Sequence, residues 1–338
     1  MTQGPLRDGR EEGPASEHGG TGMTTRPHTD SSMARTDHPA EVRQAYERVL
    51  AGTSVRGRFF AVGGNRVHLL EIGTGSPLVL LHGGGGSGGF FLPLLNELRG
   101  VRALAPDRPG QGLSDPIDLP RDRYRQLAVA WVDGLLDTLE LDTAALLGHS
   151  GGAMWALWYA LAHPDRVNRL VLIGPPAVPK TRCPLPIRLA ATPGVGELLS
   201  RLVPPSPKSV LQFAHHAARE KESLARYPDL VDLFVATFGD PIADRATRAE
   251  ERVFVSPFAL VTASGFRRGS RIRPDELRRV ATPTLVMWGK REPLGDVSVA
   301  QAVAELIPRA RLEVLAGGHG PWLGQPAQTA AAIADFVR

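Results

Sequence analysis

The chain has 338 residues, of which 42% are hydrophobic and 22% are charged, and its formal net charge is +4. This length is sufficient for one large core and an insertion. The basic residues are scattered and are not interleaved with aromatic side chains, so we expect no nucleic-acid partner. The single cysteine, Cys183, excludes an internal disulfide framework. With no secretory leader and no apolar stretch long enough to span a membrane, the sequence predicts a cytoplasmic protein without membrane association.

The first 38 residues are rich in Gly, Ser, Thr, Pro and acidic residues and contain almost no large apolar side chains. Such a segment cannot bury enough surface to offset the entropy cost of ordering, so residues 1–38 are predicted to be disordered. Residues 39–52 follow with an apolar stripe at helical spacing that begins after Pro39. We expect this helix to dock on the main domain, because its apolar face must be covered.

An α/β core is predicted for residues 53–175 and 271–338. Short apolar runs alternate there with helical segments, which is typical of a mostly parallel sheet covered by helices on both faces. The first two strands are predicted to form an antiparallel hairpin around a Gly-Gly-Asn turn. The predicted strands are residues 59–62, 67–72, 78–81, 103–105, 144–147, 170–173, 284–288 and 312–315, and the predicted helices are residues 124–139, 153–163, 297–306 and 327–337.

The alternation stops between residues 176 and 270. This stretch has proline-rich joints and helical pieces, including residues 209–226 and 230–238, and it is far longer than a usual connection. It is therefore predicted to be a helical lid, inserted after the strand at residues 170–173.

The segment Gly-His-Ser-Gly-Gly at residues 148–152 lies directly between a predicted strand and a predicted helix. This context is typical of a nucleophile elbow, a turn so tight that glycine is needed on both sides of the serine. The elbow aims the helix N-terminus at the Ser150 hydroxyl, and the backbone N–H groups there favour negative charge. Ser150 is therefore the candidate nucleophile.

A serine hydroxyl needs a base to take its proton and a third group to orient that base. The candidate base is His319, which follows the last predicted strand, because the carboxyl ends of the strands in an open α/β sheet gather the active residues. The orienting acid should follow the preceding strand. Glu292 is the first choice there and Asp296 is the alternative.

Four glycines at residues 83–86 follow the strand at residues 78–81. Backbone without side chains can approach a developing oxyanion closely. We predict that one oxyanion donor is the Gly84 N–H, with Gly85 as the alternative, and that the other is the Gly151 N–H. The run continues into neither a phosphate-loop nor a dinucleotide-binding fingerprint, and we predict no cofactor and no metal.

These segments and their order resemble the α/β-hydrolase fold superfamily, in its serine-nucleophile branch with a helical cap. The resemblance covers residues 57–338 and is carried by the segments at residues 82–85, 107–114, 148–152, 283–289 and 317–319. It implies an α/β-hydrolase fold with a triad in the order nucleophile, acid, histidine. The chain departs from the pattern in two ways. Relatives usually carry aspartate where this chain has Glu292, and the oxyanion segment of this chain is unusually rich in glycine.

The predicted function is a metal-free serine hydrolase that cleaves an ester, lactone or thioester through an acyl-enzyme on Ser150. One alternative is a hydrolase of carbon–carbon bonds in diketone-type substrates, which the resemblance implies, and another is a non-catalytic ligand-binding homologue. Apolar residues of the predicted lid, together with Trp155, indicate a small apolar acyl or aromatic substrate. The sequence indicates no particular oligomeric state.

Overall fold

The computed structural model describes residue 1, residues 37–256, residue 258 and residues 260–338. The predicted disorder of residues 2–36 lies outside the described residues. Within the described part, eight strands form one sheet: β1 (Arg56–Val62), β2 (Asn65–Ile72), β3 (Ser76–Leu81), β4 (Val101–Pro106), β5 (Ala144–His149), β6 (Val167–Ile173), β7 (Thr284–Gly289) and β8 (Ala310–Leu315). Each of the eight predicted strands corresponds to one of them.

The strand order is β1-β2-β4-β3-β5-β6-β7-β8. The β1–β2 and β2–β4 pairs are antiparallel, and every other neighbouring pair is parallel. The direction of the strand order reverses at β3, which pairs with β4 on one side and with β5 on the other. Open α/β sheets bind ligands in the crevice at the carboxyl ends of the strands at such a reversal. The predicted fold class, a mostly parallel sheet flanked by helices, is confirmed.

Helices connect the strands and cover both faces of the sheet. They are α1 (Ala40–Leu50), α2 (Leu92–Leu95), α3 (Tyr124–Thr138), α4 (Gly151–Ala162), α5 (Leu185–Ala191), α6 (Val195–Leu202), α7 (Pro207–Phe213), α8 (Lys221–Leu224), α9 (Pro228–Gly239), α10 (Pro241–Phe254), α11 (Pro274–Arg278), α12 (Val297–Leu306), α13 (Pro321–Gly324) and α14 (Pro326–Val337). No helix in the described ranges combines the length and the apolar character needed to cross a bilayer.

Successive residues of a strand point to opposite faces, so each central strand contributes to two cores. In β3, Val79 and Leu81 belong to the core that also contains residues of α3, α4 and α12. Leu78 and Leu80 belong to the core that contains residues of α1, α2, α13 and α14. Burial on both faces explains why these strands are continuous apolar runs in the sequence rather than alternating ones.

The six helices α5 to α10 form an insertion between β6 and β7. The helical piece predicted at residues 209–226 is divided into three segments, because α7 ends at Phe213, a π-helical turn covers Ala214–Ala218, and α8 begins only at Lys221. Arg219 ends the π turn with a φ of +59°, in the left-handed region. The apolar residues keep helical spacing across this break, so hydrophobic periodicity does not reveal it.

Helix α1 packs against α9 of the insertion, with Val42, Ala45, Tyr46 and Val49 buried along one face. The helix therefore joins the first described part of the chain to the insertion.

The predicted boundary of the disordered segment at residue 38 was wrong, because His38 is buried. Its Nδ1 pairs with the carboxylate of Asp240, and its Nε2 donates to the Ser114 carbonyl at 2.8 Å. Asp240 is also the N-cap of α10 and accepts from the Ile242 N–H at 2.8 Å. The pairing spans 202 residues, and no local sequence pattern reports a contact of that range.

We expect His38→Ala to lower the free energy of unfolding by about 3 kcal/mol, because it leaves the buried Asp240 carboxylate without its cationic partner. Burial by itself lowers the pKa of His38, but the hydrogen bonds to Asp240 and Ser114 raise it overall. A raised folded-state pKa stabilises the fold below the unfolded-state value of about 6.5, and this contribution is lost as the pH rises through the folded-state pKa.

The difference in Tm between the wild type and His38→Ala should therefore be largest below pH 6.5 and should narrow at higher pH, as measured by thermal denaturation. His216→Ala, which removes an exposed histidine, is the matched control and should give a small difference at every pH. If the difference in Tm between the wild type and His38→Ala were the same at every pH, the ion pair between His38 and Asp240 would not contribute to stability as described.

Candidate active site

Ser150 lies at the sharp turn between β5 and α4. Its φ is +52°, in the left-handed region that side-chain-bearing residues rarely adopt. Its N–H donates to the Ile173 carbonyl at 2.9 Å. A Cβ at residue 152 would lie 2.1 Å from the Leu81 carbonyl oxygen, so only glycine fits at that position. The turn places Ser150 at the carboxyl ends of β3 and β5.

His319 lies in the loop after β8, and Glu292 lies in the loop after β7. The His319 Nδ1 is 2.8 Å from Oε1 and 2.9 Å from Oε2 of Glu292. Because a carboxylate only accepts hydrogen bonds, Nδ1 carries the hydrogen, and in the neutral ring Nε2 is then the nitrogen that can accept a proton. A Cβ at residue 174 would lie 2.8 Å from the imidazole and 2.9 Å from the carboxylate, so Gly174 leaves space for this pair.

Asp296, the alternative acid, occupies a different position. It is the N-cap of α12, where its Oδ1 accepts from the Ser298 N–H at 2.9 Å and from the Ser298 hydroxyl at 2.5 Å. These hydrogen bonds lower the pKa of the exposed Asp296 carboxyl. Of the two acids, Glu292 is the one in contact with His319.

A second histidine, His149, supports the loop of His319. Its Nε2 donates to the His319 carbonyl at 3.0 Å, and the two ring centroids are 4.6 Å apart. Burial, together with the neighbouring His319, holds the pKa of His149 well below its usual value. His149 is therefore a neutral donor. Its place inside the elbow segment was visible in the sequence, but this contact was not.

The insertion also contacts the loop of His319. The Ala218 carbonyl, at the end of the π turn, accepts from the His319 N–H at 2.8 Å, and the Glu220 Oε1 accepts from the Gly318 N–H at 2.5 Å. Burial raises the pKa of Glu220, and hydrogen bonds with Ser223 and Gly318 partly offset that effect. The position of the histidine thus depends on the insertion as well as on the core.

The two predicted oxyanion donors are neighbours. The Gly84 nitrogen lies 3.5 Å from the position that a Cβ of residue 151 would occupy. Gly151 is the first residue of α4, where the backbone N–H groups have no partner within the helix and form its positive end. Neither Gly84 nor Gly85 donates its N–H to another atom of the described chain. The choice between these two donors stays a prediction.

A buried ion pair lies against the same glycines. Glu250 of α10 accepts from both terminal nitrogens of Arg108, each at 2.9 Å, and both residues are buried. A Cβ at residue 151 would lie 2.4 Å from the Glu250 Oε1, and one at residue 84 would lie 3.0 Å from its Oε2. Because Gly84 and Gly151 have no side chains, they leave room for the Glu250 carboxylate as well as for a substrate oxygen. No pattern in the sequence indicated this pair, although Arg108 lies within a segment that carries the family resemblance.

His82 connects the glycine-rich loop to Arg108. Its Nδ1 donates to the Gly83 carbonyl at 2.8 Å, and its Nε2 accepts from the Arg108 N–H at 2.9 Å. Complete burial, together with the charge of Arg108, lowers the pKa of His82 to about 3. The neutral imidazole therefore holds the two loops in a fixed relation.

Ser150 and His319 line both lobes of a cavity. The apolar lobe has a volume of about 130 Å³ and is lined by Phe90, Val210, Leu224, Phe234 and Leu323, among others. The acidic lobe has a volume of about 140 Å³ and is lined by Cys183, Thr247, Glu250, Glu251, Phe254 and Phe266, among others. A cavity of about 150 Å³ can hold benzene, so each lobe has room for a ring or a short chain.

Trp155 does not line either lobe, and its assignment to substrate binding there was wrong. Its ring is 1% exposed, its Nε1 donates to the Tyr124 hydroxyl at 3.0 Å, and the Arg108 guanidinium lies 4.9 Å from the ring centroid. The cause is the orientation of α4, which is buried on nearly every side. Trp155 points into the core from that helix rather than toward the serine.

A sequence model of the family described as alpha/beta hydrolase fold matches residues 76–323 of the chain. The chain belongs to the α/β-hydrolase fold family. It is an enzyme of the hydrolase class, and sequence relatives of it are named as hydrolases.

Two sequence relatives and one solved structure illustrate this family membership. The chain is 28% identical over 301 residues to 2-hydroxymuconate semialdehyde hydrolase of Pseudomonas sp. (strain CF600), covering 83% of this chain and 93% of that enzyme. It is 30% identical over 258 residues to 2-hydroxy-6-oxononadienedioate/2-hydroxy-6-oxononatrienedioate hydrolase of Cupriavidus pinatubonensis, covering 74% of this chain and 82% of that enzyme. A carboxylesterase from Bacillus subtilis shares the fold with a TM-score of 0.66 and 23% identity, over 88% of this chain and 97% of that one.

We expect Glu292→Gln to lower kcat by roughly 10⁴, because the amide keeps the shape of the side chain but loses the charge that stabilises a histidine cation. Asp296→Asn is the matched control, since asparagine is also a good N-cap and this site lies away from His319. Its kcat should stay within about tenfold of the wild type. The kcat of both variants is measured by steady-state kinetics on an activated ester. If kcat fell strongly in Asp296→Asn and stayed near the wild-type value in Glu292→Gln, Asp296 would be the orienting acid instead of Glu292.

Proposed function

We propose that the protein is a serine hydrolase that cleaves an uncharged ester, lactone or thioester through an acyl-enzyme on Ser150. The observation that carries this proposal is the geometry around His319. Its Nδ1 is 2.8 Å from Glu292, and its ring lines the same cavity as a serine at a strained elbow. Nucleophile, base and orienting acid are the three side chains that this kind of acyl transfer needs.

In the proposed reaction, His319 Nε2 takes the Ser150 proton while the serine oxygen attacks the carbonyl carbon. The Gly84 and Gly151 N–H groups stabilise the resulting oxyanion, and Glu292 stabilises the imidazolium. When the carbonyl re-forms, the bond to the leaving oxygen or sulfur breaks, and the leaving group takes its proton from His319. Water then attacks the acyl-enzyme with His319 as base, which releases the acid and restores Ser150.

The charges around the cavity favour a substrate that carries no negative charge. Glu220 lines the apolar lobe, and Glu250 and Glu251 line the acidic lobe. Among the described residues, neither lobe is lined by lysine or arginine, and Arg108 uses both terminal nitrogens on Glu250. A substrate carboxylate in the cavity would therefore be buried without a cationic side chain to pair with, which weakens binding.

A hydrolase of carbon–carbon bonds is the second candidate, because two relatives favour it. Their names specify 2-hydroxymuconate semialdehyde and 2-hydroxy-6-oxononadienedioate as substrates, and both compounds are oxo acids. On such a substrate the same serine and histidine would act at the oxo carbon and break the adjacent carbon–carbon bond. Because no lysine or arginine of the described residues lines the cavity, its composition argues for the uncharged ester.

We also propose that the insertion acts as a lid. The side chains of Ile187, Val210, Phe213 and Phe238 come from three of its helices, α5, α7 and α9, and line the cavity of Ser150. A cover of this kind excludes water from the reacting groups, which strengthens the electrostatic interactions between them.

Hydrolysis of p-nitrophenyl butyrate and of a 2-hydroxy-6-oxohexa-2,4-dienoate tests the two candidates against each other. We expect kcat/KM for the neutral ester to exceed that for the dienoate by about 100-fold, because a charged group that is buried without a partner costs about 3 kcal/mol. Ser150→Ala should lower ester hydrolysis by at least about 10³-fold without changing the far-UV circular dichroism spectrum.

A preference for the dienoate would support the carbon–carbon hydrolase instead. Turnover of neither substrate, or full ester hydrolysis by Ser150→Ala, would contradict the proposed reaction. If neither substrate is turned over, the non-catalytic ligand-binding function becomes the favoured alternative.

A further inference from the structure

The acidic lobe carries two adjacent glutamates of α10, and their surroundings differ. Glu250 is bound by Arg108 through two hydrogen bonds of 2.9 Å, so its charge is compensated and its oxygens are occupied. Glu251 lines the same lobe, but its carboxylate makes no hydrogen bond or ion pair within the described part of the chain. Glu251 is the carboxylate of this lobe that has acceptor capacity for a ligand.

The two arginines nearest Glu251 in the chain are engaged elsewhere. Arg248 donates to Asp244 at 2.8 Å, and Arg252 donates to Glu197 at 2.6 Å. Neither arginine is among the residues that line the acidic lobe. Arg248 acts on Glu251 from outside this lobe, where the two residues line a neighbouring groove, so no cation of the described residues faces Glu251 from within the lobe.

Burial raises the pKa of Glu251 to about 8. Arg248 and Arg252 oppose this shift, whereas Glu250 and Asp244 add to it. A carboxyl of this kind costs free energy to ionise in the empty site, and a cationic or hydrogen-bond-donating ligand compensates that cost. A ligand carboxylate, by contrast, would find no arginine or lysine to pair with among the described residues that line the lobe.

We propose that the acidic lobe is a subsite for a substrate substituent that donates hydrogen bonds, an ammonium or a hydroxyl, with Glu251 as its acceptor. The proposal rests on the proposed function, since it takes Ser150 as the position of the reacting carbonyl. The apolar lobe, which Ser150 also lines, then receives the apolar part of the substrate. Glu251 is in this account a specificity-determining residue and takes no part in the bond-breaking steps.

The test measures binding to the Ser150→Ala protein by calorimetry, so that no turnover is required. The probes are methyl ketones of equal chain length that end in an ammonium, a hydroxyl, a methyl or a carboxylate group. We expect Kd for the ammonium ketone to be about tenfold lower than for the methyl ketone, consistent with a hydrogen bond to a charged group. The hydroxyl ketone should lie between these two, and the carboxylate ketone should bind most weakly.

Two substitutions in the same background separate charge from hydrogen bonding. Glu251→Gln should remove the ammonium advantage but keep part of the hydroxyl advantage, and Glu251→Met should remove both. Glu222→Gln is the matched control, because it makes the same charge change at an exposed position of the insertion that does not line the lobe. The Tm of each variant shows whether it is folded.

Equal Kd values for the ammonium and methyl ketones, or an equal effect of Glu251→Met on all four ketones, would overturn the proposal. Ester hydrolysis by the wild type is measured separately. A failure there contradicts the proposed function, whereas the order of ketone binding reports on the lobe alone.

Discussion

The site depends on the left-handed backbone of Ser150. A φ of +52° at a residue with a side chain costs free energy, and the surrounding contacts offset it. Two contacts stabilise the turn. Gly152 packs closely against the Leu81 carbonyl, and the Ser150 N–H donates to the Ile173 carbonyl at 2.9 Å. These contacts come from β3 and β6, on either side of β5. The central parallel strands thus fix the nucleophile, and the other groups of the site are arranged around it.

The core alone does not complete the site. The Ala218 carbonyl and the Glu220 carboxylate, both from the insertion, bind the loop that carries His319. Glu250, also from the insertion, reaches the glycines beside Ser150 and is held there by Arg108. The insertion therefore does more than cover the cavity, because a movement of it would also move groups next to the base and the oxyanion donors.

The sequence predicted the features that depend on local pattern. Continuous apolar runs identified the strands, and the position of each loop after a strand identified Ser150, His319 and the two possible acids. The sequence could not decide between Glu292 and Asp296, because the decision depends on which carboxylate approaches the imidazole in space. Arg108 and Glu250 lie 142 residues apart in the chain, so their pairing left no local signal. Trp155 was misassigned because its neighbourhood in sequence says little about the direction of a side chain on a fully buried helix.

The central claim is that Ser150 forms a covalent acyl-enzyme with His319 as its base. A fluorophosphonate reacts with a serine that is activated in this way, and peptide mapping of the product by mass spectrometry locates the adduct. The account predicts one adduct per chain on the peptide that contains Ser150, no adduct in Ser150→Ala, and a strongly slowed reaction in His319→Ala. An adduct on another residue, or a reaction whose rate does not depend on His319, would contradict it.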